Sequence, residues 1–240
     1  MATEAIGRSG ATPGRLSGAL GEQLRWIAGG LAIGFLVPFL FADLLEVPRD
    51  LYYAIYAIAV VGFLAAWLRA TDQRLGEMLR RHWVAAVALG VLVAGVMAVI
   101  VVQTEDATPR PGGLELVGAV AWRGVVYGAI DGLLLSAFPI LAVFAAFAGT
   151  RLRTRWQGTL AVGALAIVAS LAMTAAYHAG YGQFRSSDMR SPLAGDLVWS
   201  VPTLVTLNPI GAPIAHIGLH TGAVLHSYDT ELFLPPRSDG

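Results

Sequence analysis

Residues 83–103 read WVAAVALGVLVAGVMAVIVVQ, a run without a single charged side chain. Wound as a helix at 1.5 Å per residue it is about 32 Å long, enough to cross the roughly 30 Å hydrocarbon core of a bilayer. Further apolar stretches lie on either side, at 24–44, 52–69, 118–149 and 157–181, followed by a shorter segment near 195–207 and a last one at 210–228. The chain of 240 residues is 56% hydrophobic and 13% charged, whereas soluble domains carry roughly 25% charged residues. So much apolar surface has nowhere to hide from water. The stretches predict an all-α fold, a polytopic transmembrane bundle of about seven spans with a short, broken segment before the last helix. The in-out alternation over about ten residues that marks a membrane β-barrel is missing.

The stretches also divide the chain. Residues 1–22 are rich in Gly, Ser, Ala and Arg and read as a flexible cytoplasmic tail, 23–228 as a single transmembrane domain, and 229–240 as a C-terminal tail. Pro139 is expected to kink the long 118–149 stretch. Pro202, Asn208, Pro209 and Pro213 shorten and break the penultimate segment, which reads as a full span, a half-helix or a re-entrant piece. Arginine orients the bundle. Ten arginines (Arg8, Arg15 and Arg25; Arg69, Arg74, Arg80 and Arg81; Arg151, Arg153 and Arg155) lie at helix ends on one side, against about five on the other. The positive-inside rule then puts the N-terminus in the cytoplasm of a cell membrane. With seven spans the C-terminal tail lies outside.

Composition excludes several chemistries. All 16 basic residues are arginine, so no lysine is available for a retinal Schiff base or as a nucleophile. The bias, with abundant Ala, Gly, Val and Leu, suggests a GC-rich prokaryotic genome. The absence of cysteine removes disulfides, thiolate metal sites and cysteine catalysis. Net charge is zero, and no basic cluster suggests nucleic acid as a partner. Membrane lipid is the partner that composition does imply.

Ionisable residues at membrane depth are costly and mark sites. His216 and His220 stand at i and i+4 in GAPIAHIGLHTGAVLH, so both imidazoles project from one helical face, about 6 Å apart along the axis. Asp131 lies deep in VVYGAIDGLLLSAFP, and His178 ends AMTAAYH. The simple topology sets all four at similar depth on three helices, the way helical bundles build sites. Each also has a structural reading: a hydrogen-bonded core aspartate, a histidine at a helix C-terminus, core histidines bonded to neighbouring helices. Gly124, Gly128 and Gly132 form a stripe that brings another helix close to Asp131. Tyr127 is placed to hydrogen-bond into the site, and Arg123 to pair with an acid or to extend towards the interface. His226 reads as interfacial and His82 as a cytoplasmic-side residue. Asn208 and Pro209 read as terminators, while Asp188 and Asp196 belong to loops or their edges.

The order of Asp131, His178 and NPIGAPIAHIGLH (208–220) resembles the CAAX protease and bacteriocin-processing (Abi) family of intramembrane proteases over about residues 118–228. That family carries an acidic motif with a following arginine, an aromatic-x-x-x-His motif and a His-x-x-x-Asn motif on successive helices. Here Asp131 stands in the acidic position, His178 in the middle histidine position and His216 in the last. The chain departs from the pattern in lacking a Glu-Glu pair and an arginine four residues after Asp131, in having Thr174 for the aromatic residue, and in having His220 for asparagine. The resemblance implies a hydrolase acting on a membrane-embedded peptide, or an inactive relative keeping the fold. From the residues themselves, His178, His216, His220 and Asp131 suit a divalent metal such as zinc with a position open to water, or a metal-free site in which His178 or Asp131 is the general base. A non-catalytic metal or haem binder, and a transporter or scaffold, are the readings from other classes.

Overall fold

A computed structural model describes residues 13–185 and 187–236. Among the described residues there is no strand, and the elements run α1 Pro13–Val37, continued by a wide π-helical turn at Pro38–Leu44, α2 Arg49–Ala70, the short α3 Leu75–Arg80, α4 Trp83–Thr104, α5 Gly113–Ala146, α6 Trp156–Ala179, α7 Arg190–Trp199, α8 Val201–Thr206 and α9 Gly211–His226. Among the described residues, five helices are long and apolar enough to cross a membrane: Ala19–Leu44 and α2, α4, α5 and α6. The expected stretches match these bounds closely except at the start, where α1 reaches back into the expected tail as far as Pro13. The rest of that tail, residues 1–12, and residues 237–240 lie outside the described residues.

Loop hydrogen bonds sort the helix ends into two groups. At one end Asn208 Nδ2 donates to the carbonyls of Leu79 (2.9 Å) and Arg81 (2.6 Å), tying the α8–α9 turn to the α3 loop. At the other, the Thr108 amide donates to the carbonyl of His226 (3.0 Å), and Gln183 Nε2 to that of Glu231 (3.0 Å). The α7–α8 pair therefore runs from the second end to the first, and α9 returns. The pair is broken because Pro202 has no N–H to give the carbonyl of Val198 four residues back. It stops at Leu207, whose φ of 51° no helix continues. Asn208 Oδ1 then accepts the Ile210 amide at 3.0 Å and starts α9.

Small residues let α9 sit in the middle of the bundle. The Gly124–Gly128–Gly132 stripe of α5 lies directly on it: a Cβ on Gly128 would be 3.0 Å from the backbone of His216 and Ile217, and one on Gly132 only 2.5 Å from Pro213 Cα. On the opposite face a Cβ on Gly218 would lie 2.3 Å from Ala94 Cβ of α4, against which α9 packs most extensively. The residues that were expected to bring a helix against Asp131 do so, and that helix carries His216 and His220.

Pro139 does not end α5. The helix widens into a π-helical turn at Gly132–Ala137 just before it, and the carbonyl of Leu135, which Pro139 cannot serve, accepts the Ser170 hydroxyl of α6 at 3.0 Å. A proline inside a membrane helix is tolerated where a neighbouring hydroxyl takes over in this way. Ser170→Ala should therefore destabilise the fold by about 1–3 kcal/mol, the loss that follows when a buried acceptor goes unpaired. Denaturant titration in micelles measures it, and an unchanged midpoint would mean that Leu135 finds another donor.

Candidate functional site

Asp131 closes the regular turn Tyr127–Asp131 of α5, with a π-helical turn on each side at Val120–Val126 and Gly132–Ala137. Such turns recur at functional sites because they rotate one side chain out of the regular helical register. The rotation aims Asp131 at α9. One ligand atom from each of Asp131, His216 and His220 lies within 4.8 Å of the others, and all three residues are buried. The three residues therefore meet as the sequence predicted. His178 lines the same cavity without belonging to that close triple.

Hydrogen-bond logic fixes the protons. His220 Nδ1 faces the carbonyl of Phe233 at 2.7 Å. A carbonyl only accepts, so Nδ1 carries the hydrogen and, in the neutral ring, Nε2 carries a lone pair. That lone pair points at Asp131 Oδ2, 3.3 Å away. Two lone pairs at this distance repel unless a proton or a metal cation lies between them. Asp131 Oδ1 and both nitrogens of His216 are buried with no hydrogen-bond partner among the described residues. His178 repeats the pattern of His220: its Nδ1 donates to the Thr174 carbonyl at 2.8 Å, which leaves Nε2 as the acceptor.

A cavity of about 420 Å³ adjoins these groups, within the roughly 300–1,000 Å³ of small-molecule sites. Asp131, His178, His216 and His220 line it together with apolar side chains, among them Met97 and Ile100 of α4, Val198 and Trp199 of α7, and Leu219 of α9. Residues 227–236 fold back as a strap over one end, with Leu232, Phe233 and Pro235 against the cavity. The buried Arg49 guanidinium holds the strap by donating to the carbonyls of Pro236 (2.9 Å), Tyr228 (3.3 Å) and Thr230 (3.4 Å).

Several contributors were not evident from sequence. Asp196, assigned there to a loop edge, is fully buried, and its Oδ1 accepts from Ser136 (3.0 Å), Ser200 (2.8 Å) and Trp199 Nε1 (2.9 Å), with the Ser170 oxygen, whose hydrogen serves Leu135, 2.9 Å away. The Trp199 ring so held packs on His216, with centroids 4.5 Å apart, so Asp196 positions that imidazole through tryptophan. On the other side lies a ring of phenols. Tyr127 packs against His220 (4.7 Å) and shares a hydrogen bond with Tyr177 (2.5 Å), which Tyr181 joins at 2.7 Å. Three tyrosines within LYYAIY (51–56) were the signal for this cluster: Tyr53 stacks on Tyr127 at 3.8 Å, and Tyr52 accepts from Tyr181 at 2.6 Å. Arg123 pairs with Asp50 through two 2.8 Å bonds and lies over the Tyr228 ring. His226 meets the Glu105 carbonyl at 3.1 Å, and His82 is exposed at the start of α4.

The arrangement can hold a small cation between neutral imidazoles and a carboxylate and present it to an apolar chamber. The 3.3 Å between His220 Nε2 and Asp131 Oδ2 leaves no room there for a macrocycle such as haem. No family profile, no curated protein and no solved structure matches this chain.

Proposed function

We propose that this chain is a multi-pass membrane hydrolase whose centre is a divalent cation, of the zinc class, held by Asp131, His216 and His220. Tetrahedral ligands at about 2.1 Å from zinc stand about 3.4 Å apart, and His220 Nε2 and Asp131 Oδ2 are 3.3 Å apart. A proton shared by that pair would satisfy two groups and leave His216 with both nitrogens stranded. A cation engages all three. The orphaned imidazole of His216, fully enclosed and within 4.8 Å of the pair, is the observation that carries the reading.

The other residues fit this assignment. The Phe233 carbonyl on His220 Nδ1 is the outer-shell contact that fixes the tautomer of a ligating histidine. When bound, such an ion lowers the pKa of a water molecule and polarises a substrate oxygen. His178 Nε2, lining the same cavity, accepts the proton that the water loses and returns it to the leaving group. The chamber excludes bulk water, which strengthens each of these interactions. The order Asp131, His178, His216 is that of the CAAX protease and Abi motifs, and we assign the chain as a diverged relative. α7–α8 and α9 supply the sixth and seventh crossings, and the arginine asymmetry sets the N-terminus in the cytoplasm.

Elemental analysis of protein purified in detergent without chelators tests the reading. It should find about one divalent ion per chain, removable by a strong chelator and restored by one equivalent of zinc. Protein that arrives without metal and takes up none sinks it.

A further inference from the structure

Resting on the hydrolytic reading of the Asp131–His216–His220 centre, we propose that its substrate is a membrane lipid bearing an acyl ester, admitted sideways between α4 and α7. Three observations carry this. The first is where the chamber opens. Its exposed lining residues are Thr104 at the end of α4 and Ser191, Ala194 and Val198 on α7. Beside these residues lie apolar side chains at least half exposed, Val99 and Val102 of α4 and Leu197 of α7. Such a surface faces acyl chains rather than water.

The second is what the walls can bond. An extended peptide carries an N–H and a C=O at every residue, and each unsatisfied one costs several kcal/mol in an apolar site. Peptide-binding sites meet this demand with a free backbone edge. Here the walls are helices whose backbone bonds are internal, and the strap is the extended segment beside the cavity. Six of its ten carbonyls are already taken: those of Tyr228, Thr230 and Pro236 by Arg49, that of Glu231 by Gln183, that of Phe233 by His220 and that of Ser227 by the Thr230 amide. Pro235 and Pro236 have no N–H to offer. A hydrocarbon chain makes no such demand.

The third is the placement of polarity. Among the residues lining the cavity, the unpartnered buried polar atoms belong to Asp131, His216 and His220, while Met97, Ile100 and Leu219 supply apolar lining. A molecule with one reactive carbonyl and a long apolar remainder matches that division. In the reaction, water oxygen bonds to the acyl carbon and the acyl C–O bond breaks. One water proton passes through His178 Nε2 to the departing alkoxide, and the products are a fatty acid and an alcohol.

The test uses full-length protein in phosphatidylcholine nanodiscs containing a phospholipid with a diazirine on one acyl chain. After illumination, adducts should appear on Met97, Ile100 or Leu219. Val198→Trp and, from the facing wall, Thr104→Trp should each reduce these by about tenfold or more by filling the mouth of the pocket. Adducts on the lipid-facing Leu92 and Ile58, and the metal content, should not change. Adducts confined to lipid-facing residues overturn the proposal. So do cavity adducts indifferent to both tryptophans, and preferential labelling of the cavity by a diazirine-bearing apolar peptide that the lipid does not displace. Cavity adducts in a protein that binds no metal support the lipid seat and count against the hydrolytic reading alone.

Discussion

His216→Ala should strip the protein of its metal while leaving the helices in place. The variant removes a ligand that has no other partner, since neither ring nitrogen is hydrogen-bonded, so nothing structural depends on it except packing under Trp199. His220→Ala and Asp131→Asn should give the same loss. Removing an outer-shell partner of a metal ligand lowers affinity by about 10–100-fold, and removing a ligand should exceed that range. A competition titration against a chromophoric chelator measures the change, with far-ultraviolet circular dichroism confirming helix content. His82→Ala is the control: exposed at the start of α4, at the end of the bundle away from the strap, it should bind metal as the parent does. Parental metal content in both histidine variants would mean that these imidazoles serve the fold and not a ligand.

Gly132→Leu should be the most damaging single change outside the site. A Cβ at this position would lie 2.5 Å from Pro213 Cα and 2.7 Å from its nitrogen. Both are backbone atoms that no rotamer change can move away, so α9 must shift as a body. Overpacking of this kind costs about 1–3 kcal/mol where side chains can yield, and a backbone clash should reach or pass the upper end. The shift also draws His216 and His220 away from Asp131, so metal uptake should fall along with stability. Gly95→Leu supplies the comparison, because a Cβ there meets nothing within 4 Å. In that variant helix propensity favours the replacement by up to about 1 kcal/mol. Equal unfolding midpoints for the two variants would show that the α5–α9 contact is not tight.

The spans were readable because a helix in lipid must be apolar over a fixed length, so hydropathy alone outlines α2, α4, α5 and α6 to within a few residues. Asp131, His216 and His220 were readable for the complementary reason: a titratable group inside such a run is conspicuous. Asp196 was not, because its surroundings, RSPLAGD, are polar enough to look like loop. Its burial follows from three serines and an indole on other turns and helices, which have no common sequence spacing. Tyr127 was legible as a partner one turn from Asp131, but Tyr52, Tyr53, Tyr177 and Tyr181 were hidden by habit, since tyrosine near a helix end is ordinary at a membrane interface. Arg49 counted only as a loop charge, although its guanidinium is buried among strap carbonyls. Backbone acceptors such as Phe233 O leave no mark in a sequence at all.

The strap has a consequence for the order of synthesis. Phe233 and the carbonyls gripped by Arg49 leave the ribosome after all the described helices have been made. Until then the Nδ1–H of His220 lacks the Phe233 carbonyl that orients its ring. A chain still being inserted thus holds all four ionisable residues of the centre without that contact. The direction of the His220 ring is therefore set last, when this segment has been made and has docked against α9.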